Sequence, residues 1–596
     1  MGLLRQAYET YTAMEGQFVG VYKDGQKEPL CPPSHIITAA QIEITLDRTG
    51  NFVCASAVDK SEQKTIIPAT EDSAGRTSAP CAHPLCDQLG YLGGHDDTKY
   101  ELYLTQLGRW ASSAWGHPKL NAVLRYVQGG TILSDLQKSG LIILTERGVP
   151  EKEKLLVRWR VQDPYSSAAE ECWRDISLFR SFINYYASQQ REKRFCMVSG
   201  EEAPAAKQHP KGIISINGNA KLISANDSSG FTYRGRFSED WQAASVSYEV
   251  SQKAHAAIRW VAANQGVLLG GRTFLCWSPQ GVTIPQPHTS FLKNTGEIRR
   301  KPSDYREELK NTLLGKKEEL PRNAKAVIAA FDAATTGRLS VTYYNELQAS
   351  DFLDRLHNWD TTCCWWNGLF GVQSPYLNRI VDCAFGVQRT ELGKTRLVTD
   401  DGVMAQQLQR LIACRVDGAR IPPDLVQAVV NRASNPLALE MPVWRNVVFT
   451  ACAVIQKYYA PMLKEDICME WELDRPDRSF QFGRLLAAMD RAEADYYYKT
   501  GEDRQTNAIK SLAAFKKTPL DVFERVNCQL ENAYLDRIKP WQRNRYRRLK
   551  GEIVAILSEF SREELNKPLD PFYLIGYELQ RNAFFNQNDM TENEEE

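Results

Sequence analysis

Nowhere in the 596 residues do eighteen apolar residues run together, and no basic-then-apolar leader opens the chain. A membrane-crossing helix needs about twenty such residues, so neither a membrane span nor a signal peptide is expected. Net charge is missing as well, because 73 basic and 73 acidic residues cancel to +0. Proteins that coat nucleic acid indiscriminately are strongly basic. Any nucleic-acid role must therefore rest on local patches. Paired cysteine spacing is absent too. The 14 cysteines are scattered, which fits buried thiols in a reducing compartment and makes the cytoplasm the default. The chain has no Walker A loop, no paired-carboxylate metal motif and no His-Asp metal pair, which argues against a nuclease.

What is present is ordinary globular composition, 43% apolar and 24% charged, on a chain too long for one core, so about two to four domains are expected. Leu4, Ala7 and Tyr11 have helical spacing and predict a helix over 3–11. Residues 42–46 and 51–55 read as strands joined by the turn Asp47-Arg48-Thr49-Gly50. A polar loop is expected over 59–85. A helix over 100–127 would bury Leu102, Leu107, Trp110, Leu120, Leu124 and Val127. A strand over 155–161 and a helix over 172–190 follow.

Pro279, Pro285, Pro287, Pro302 and Pro321 predict a linker without regular structure over 279–324. Residues 327–332 and 339–347 read as strands about Thr336-Gly337, and 410–459 as helices. Cys363 near His357 suggests a thiol nucleophile. Such catalysis needs a convergent third group, and apolar surroundings raise a thiol's pKa, so Cys363 is read as core. After Pro476 strand signals vanish. Phe482, Leu485, Leu486, Met489, Ala492 and Tyr496 share a helical face, and further helices are predicted over 504–516, 519–535 and 540–562. Tyr546, Leu549, Ile553, Ile556 and Phe560 step as a bundle seam.

The expected class is α+β: a mixed amino-terminal and central region with short antiparallel sheets, then an all-α carboxy-terminal bundle. Its parts would be an α/β region (1–150), a glycine-rich β/α region (151–285), a proline-rich linker (286–324) and a mainly helical region (325–468). A helical bundle (469–585) and an acidic, disordered tail (586–596) complete it.

The densest functional signal lies in 196–237. Gly212, Gly218 and Gly230 punctuate the apolar runs 213–216 and 222–223, which read as short strands joined by tight turns. Lys207, His209, Lys211, Lys221, Arg234 and Arg236 interleave with Phe231, Tyr233 and Phe237. Basic and aromatic residues on such a surface suit phosphates and unstacked bases; the plainer reading is a solvated β-meander. A second signal is the run Arg537, Lys539, Arg543, Arg545, Arg547, Arg548 and Lys550, with only Asp536 adjoining it in sequence. Each phosphate neutralised by such a residue adds about 0.7 to 0.9 to the salt slope of binding. A solvated face or an acidic protein partner would use the same residues. Cys81, His83, Cys86 and His95 could bind zinc, but their spacing is not a usual ligand set. No metal and no cofactor are expected.

The order Cys196-Met197-Val198-Ser199-Gly200-Glu201-Glu202-Ala203-Pro204, His209-Pro210, Lys211-Gly212-Ile213, Leu222-Ile223-Ser224-Ala225-Asn226 and Phe231-Thr232-Tyr233-Arg234-Gly235 resembles the large subunit of the type I-C CRISPR surveillance complex (Cascade). Tyr248, Arg272 to Trp277, Gly483-Arg484-Leu485 and Gln580-Arg581 continue the resemblance, as do Arg76-Thr77, Leu85, Asp87 and Tyr91. The chain has Ala225 where the family usually has Phe, and Asp360 where it has His.

The resemblance implies a non-catalytic subunit of an RNA-guided antiviral complex that contacts the protospacer-adjacent duplex (PAM recognition) and stabilises the R-loop. Candidate flanking-duplex residues are Lys60, Lys64, Arg76, Thr77, Ser78, Lys211, Asn226, Arg234 and Arg236. For the displaced strand they are Arg543, Arg545, Arg547, Arg548 and Lys550. Implied partners are crRNA with repeated backbone subunits, a guide-5′-end-binding subunit, double-stranded target DNA and a recruited helicase-nuclease, with no membrane. Small subunits made from the chain's own bundle are also implied, with Met469 as candidate start. A purely structural scaffold and a nuclease are the alternatives.

Overall fold

The computed structural model describes residues 2–591 apart from 77–78, 217, 225–236, 238–241, 293–300, 336, 392 and 464–467. The chain forms two compact units, Met1–Ile284 with Asn323–Gln348, and Pro285–Arg322 with Ala349–Glu596.

In the first unit, strands Phe52–Ala57, Ile42–Asp47 and Val157–Gln162 form a sheet, the last pair parallel. Ile42, Ile44, Leu46 and Trp159 share a core with Leu107, Trp110, Val123 and Phe182, which come from helices Asp97–Ala111, Pro118–Gln128 and Ile176–Gln189. The two buried indoles of this core have partners for their donors: Trp110 donates to Ser181 Oγ (3.0 Å) and Trp159 to the Leu85 carbonyl (2.9 Å). The hairpin turns at Asp47, whose carboxylate accepts from the backbone N–H of Thr49 (2.8 Å) and Asn51 (2.9 Å).

A second sheet orders Arg338–Gln348, Lys325–Thr335, Arg272–Trp277 and Val267–Leu269, all antiparallel. Helices Leu3–Phe18 and Tyr248–Gln265 pack with it, burying Ala7, Tyr11, Ala257 and Val261 against Leu275 and Phe331. Residues 325–348 thus complete the first unit's sheet, with Val327 opposite Trp277, instead of opening the separate region expected from 325 onward.

Several local expectations change. The 59–85 loop contains strand Lys64–Pro68, paired with His35–Ala39, and helix Glu71–Gly75, capped by Thr70. The 100–127 helix is two helices, because Pro118 opens a new one at its first turn, where proline fits. Leu102 is exposed. The runs 213–216 and 222–223 are turns and bends with isolated bridges, not strands. Their side chains explain the apolar pattern, since Ile213 and Ile214 are buried in the second sheet's core.

The second unit is mainly helical. The passage read as an irregular linker holds helix Pro302–Glu318, with Pro302 in its first turn; proline disrupts helix interiors, not starts. Helices Ala349–Thr362, Asp401–Asp417, Pro423–Ala433 and Met441–Leu463 follow. Arg415 and Asp360 are buried and paired at 2.7 Å; Arg415 also donates to the carbonyls of Pro287 and Thr289, and Asp360 accepts from Phe291 N. This pair clips 287–291 onto two helices. Burial pushes the Asp360 carboxyl up, opposed by Arg415 and the Phe291 N–H.

The bundle is built on Arg478–Thr500, flanked by Pro519–Ala533, Pro540–Leu557 and Phe572–Thr591. Its seam uses Tyr546, Leu549 and Ile553 as expected, then Leu557 in place of Ile556 and Phe560, because the helix ends at Leu557. The last helix runs to Thr591, so 586–591 are helical instead of disordered; 592–596 lie outside the described residues. Among the described residues, no helix is long and apolar enough to cross a membrane.

Candidate nucleic-acid interface

The Cys196-to-Pro204 motif is a hairpin, Lys193–Phe195 against Glu202–Pro204. Cys196 Sγ accepts from the backbone N–H of Ser199 (3.5 Å) and Ser247 (3.3 Å), tying the turn to the start of helix Tyr248–Gln265. Beyond it the chain lines one wall of a cleft of about 400 Å³, whose other walls include His35, Thr70, Glu71 and Arg259.

Lys211 and Lys221 pair across a single β-bridge beside this cleft. Gly212 between them has φ +66°, and a Cβ there would lie 2.8 Å from the Gly218 carbonyl, so only glycine fits. Neither lysine forms an ion pair among the described residues. Burial, and then the charge of Lys211, hold the Lys221 ammonium below its ordinary pKa. The cleft's other charges are satisfied. Arg259 is bonded to Glu28 (2.9 Å), and Glu71 accepts from the N–H groups of Lys207 and Gln208.

The remaining flanking-duplex candidates divide. Lys60 is exposed in the turn before Lys64–Pro68 and has no ion-pair partner among the described residues. Lys64 is held by Glu28 (2.9 Å), which also takes Arg259. Arg76 is engaged within the fold. Its guanidinium is bidentate on buried Asp87 (2.6 and 2.9 Å), donates to the Cys81 carbonyl and lies over the Tyr91 ring. A buried carboxylate needs such a partner, so Arg76 closes its own loop. Thr77, Ser78, Asn226, Arg234 and Arg236 lie outside the described residues.

Cys81, His83, Cys86 and His95 are engaged separately. His83 Nδ1 meets Ser73 Oγ (3.0 Å), Cys86 is in the core, and His95 sits 3.8 Å from Glu153. Among the described residues no group of three or more His, Cys, Asp and Glu could hold a metal ion. Cys363 is fully buried, and burial pushes its thiol well above the ordinary range.

The basic helix Pro540–Leu557 is less free than its sequence suggests. Folding brings Asp536 to Arg543 (3.0 Å), Asp495 to Arg545 (3.1 Å), Glu531 to both Arg547 (2.8 Å) and Lys550 (2.7 Å), and Glu552 to Arg548 (3.7 Å). All five candidates therefore face a carboxylate. Arg545 is also enclosed between the Trp541 and Phe584 rings.

The unpaired cations lie at the helix's start. Arg537 and Lys539 are exposed and form no ion pair among the described residues. Trp541, in the first turn opened by Pro540, is 53% exposed. Tyr498 is 93% exposed near the end of Arg478–Thr500, a helix whose Lys499 donates to the Arg537 carbonyl. An open indole beside unneutralised cations can stack a base and hold its phosphates. Pro540 could have flagged Trp541 as a first-turn residue. Lys221 stood in the basic and aromatic stretch read from sequence, but its pairing with Lys211 arises only on folding.

No curated protein matches the chain. The family model described as CRISPR-associated protein (Cas_Csd1) matches residues 7–585. That span reaches from the amino-terminal helix to the last helix of the bundle, and the chain therefore belongs to this family, the large subunit of the type I-C CRISPR surveillance complex.

Proposed function

We infer that this chain is a non-catalytic DNA-holding subunit of its RNA-guided complex. It holds the flanking duplex with Lys60, Lys211 and Lys221, and the displaced strand at the start of the basic helix. Guide pairing reads the target, while the protein contacts adjacent duplex and strand backbones, a division of labour known from other RNA-guided effectors. Its partners in this reading are crRNA, repeated backbone subunits, a guide-end-binding subunit, target DNA and a helicase-nuclease that supplies the cleavage.

The observation that carries the reading is the exposed Trp541 preceded by Arg537 and Lys539, cations without ion-pair partners among the described residues, in a chain of zero net charge. The test measures binding of a 20-nucleotide DNA strand to the full chain by anisotropy. Trp541→Ala should weaken binding about tenfold, with an unchanged salt slope, since base stacking is worth about 1–3 kcal/mol. Arg537→Gln with Lys539→Gln should lower the slope by about 1.4, two phosphates at about 0.7 each. If neither variant moves strand binding, the site is wrong. Magnesium-dependent DNA cleavage by the pure chain, lost on changing a carboxylate, would overturn the non-catalytic role.

The scaffold alternative makes a different prediction for Arg537 and Lys539, namely lost assembly with strand binding intact. Reversing Arg543, Arg547 and Lys550 would not separate the two readings, because those residues hold the bundle's own carboxylates.

A further inference from the structure

The second unit carries a two-stranded ribbon, Val387–Glu391 against Lys394–Val398. Its register sets Val387 opposite Val398, Arg389 opposite Arg396 and Glu391 opposite Lys394. Strand alternation puts these six on one face and Gln388, Thr390, Thr395 and Leu397 on the other.

The second face is anchored. Gln388 and Thr395 both donate to Glu440 Oε1 (3.2 Å each), Gln388 Oε1 accepts from Glu440 N (2.9 Å), and the hydroxyls of Thr390 and Thr395 meet at 3.0 Å. At the base, Thr399 donates through N–H and hydroxyl to Asp382. The first face is open, with Val387 64% exposed and the side chain of Arg396 65% exposed.

Two guanidinium groups directly opposite each other destabilise a strand pair. Here only Arg396 has an ion-pair partner, Glu391 at 2.7 Å, while Arg389 and Lys394 have none among the described residues. The face thus presents three cations against one carboxylate on a ribbon tied to Glu440. Apart from Val387 and Val398 at its base it lacks the aromatic and apolar anchors of a protein interface. A two-stranded ribbon fits the major groove of B-form DNA, about 12 Å wide, whereas the deep, narrow major groove of A-form duplexes excludes side chains.

We propose that the strand pair Val387–Glu391 and Lys394–Val398 is a contact for B-form duplex DNA, with Arg389 and Lys394 on phosphates and the Glu440 anchor holding it in register. The ribbon stands on its own charge pattern, so it survives if the Trp541 site fails.

The test compares the full chain with Arg389→Gln/Lys394→Gln on a 20-base-pair DNA duplex, the matching single strand and the matching RNA duplex. Between about 50 and 200 mM salt, the wild-type affinity for the DNA duplex should fall about twelvefold further than the variant's, the effect of two phosphate contacts at about 0.9 each. Arg389→Gln alone should give about half that slope change. Affinities for the single strand and the RNA duplex should not move. Equal DNA-duplex slopes in variant and wild type overturn the proposal, as does an equal loss on the single strand. Lost association with companion proteins, with duplex binding intact, would instead assign the ribbon to an acidic protein. The changed residues do not touch the Glu440 anchor, and removing opposed charge leaves the ribbon folded, which an unchanged thermal transition checks.

Discussion

His35, His83 and His255 are buried in the first unit, and burial lowers each imidazole from about 6.5 to about 4. Between those values the unfolded chain takes up protons that the folded chain refuses, so stability is fully present above pH 6.5 and lost as pH falls toward 4. One pKa unit is about 1.4 kcal/mol, so each histidine costs about 2 kcal/mol of stability at pH 5. Unfolding by denaturant at pH 7.5 and 5.0 should show this loss in the first unit. His255→Gln should reduce the difference by about 2 kcal/mol; an unchanged pH dependence would refute the assignment. Individual residues were hard to read from sequence. Arg76 and Arg234 look alike in a list of basic residues, yet Arg76 is committed to Asp87, a partner that burial in the fold selected.

Among elements, the crossing of Arg478–Thr500 and Phe572–Thr591 is the tightest contact of the bundle. A Cβ on Gly483 would sit 1.9 Å from the Tyr573 carbonyl oxygen, and one on Gly576 would sit 2.1 Å from that of Phe480. The two glycines meet reciprocally, each admitting the other helix's backbone. Gly483→Ala or Gly576→Ala must push the helices apart and should destabilise the second unit by about 3 kcal/mol, the upper range for overpacking. Calorimetry should show a lowered transition for either variant, and a wild-type transition would sink the argument. Gly483 lies in a motif quoted for the family resemblance and Gly576 four residues before another, so the positions were legible. Their role was not, because helix contact depends on residues about ninety positions apart. Helix and strand periods, by contrast, were mostly readable. The helix from Leu3 and the strands about 42–46 and 51–55 were placed from sequence, since local apolar spacing and turn residues decide them.

At the scale of the whole molecule, the bundle is not self-contained. Tyr573 bonds Ser434 (2.6 Å), Trp444 lies against the Tyr577 ring, and Arg445 reaches Tyr577 and Glu578. Met469 is itself buried just before the first bundle helix. If internal initiation at Met469 supplies a separate small subunit, Met469→Leu should abolish the short co-purifying product. That product expressed alone should self-associate in light scattering, because Tyr573, Leu574 and Tyr577 lose their cover; a stable monomer would contradict this. The division into two units was the least legible feature of all. A proline-rich passage suggested a linker near 286–324, but the strand pair 325–348 returns to the first unit, since the long strand beginning at Lys325 pairs its backbone with Arg272–Trp277.

Sequence alone determined the α+β class, the periods of most helices and strands, and a family resemblance that the match over 7–585 carries through nearly the whole chain. These depend on spacing between near neighbours and on motif order, both written in the linear chain. Tertiary structure decided which cations meet a carboxylate: Arg543, Arg547 and Lys550 do, while Arg537, Lys539 and Arg389 form no ion pair among the described residues. An ion pair forms only where packing brings a carboxylate within a few ångströms, and no periodicity records that distance.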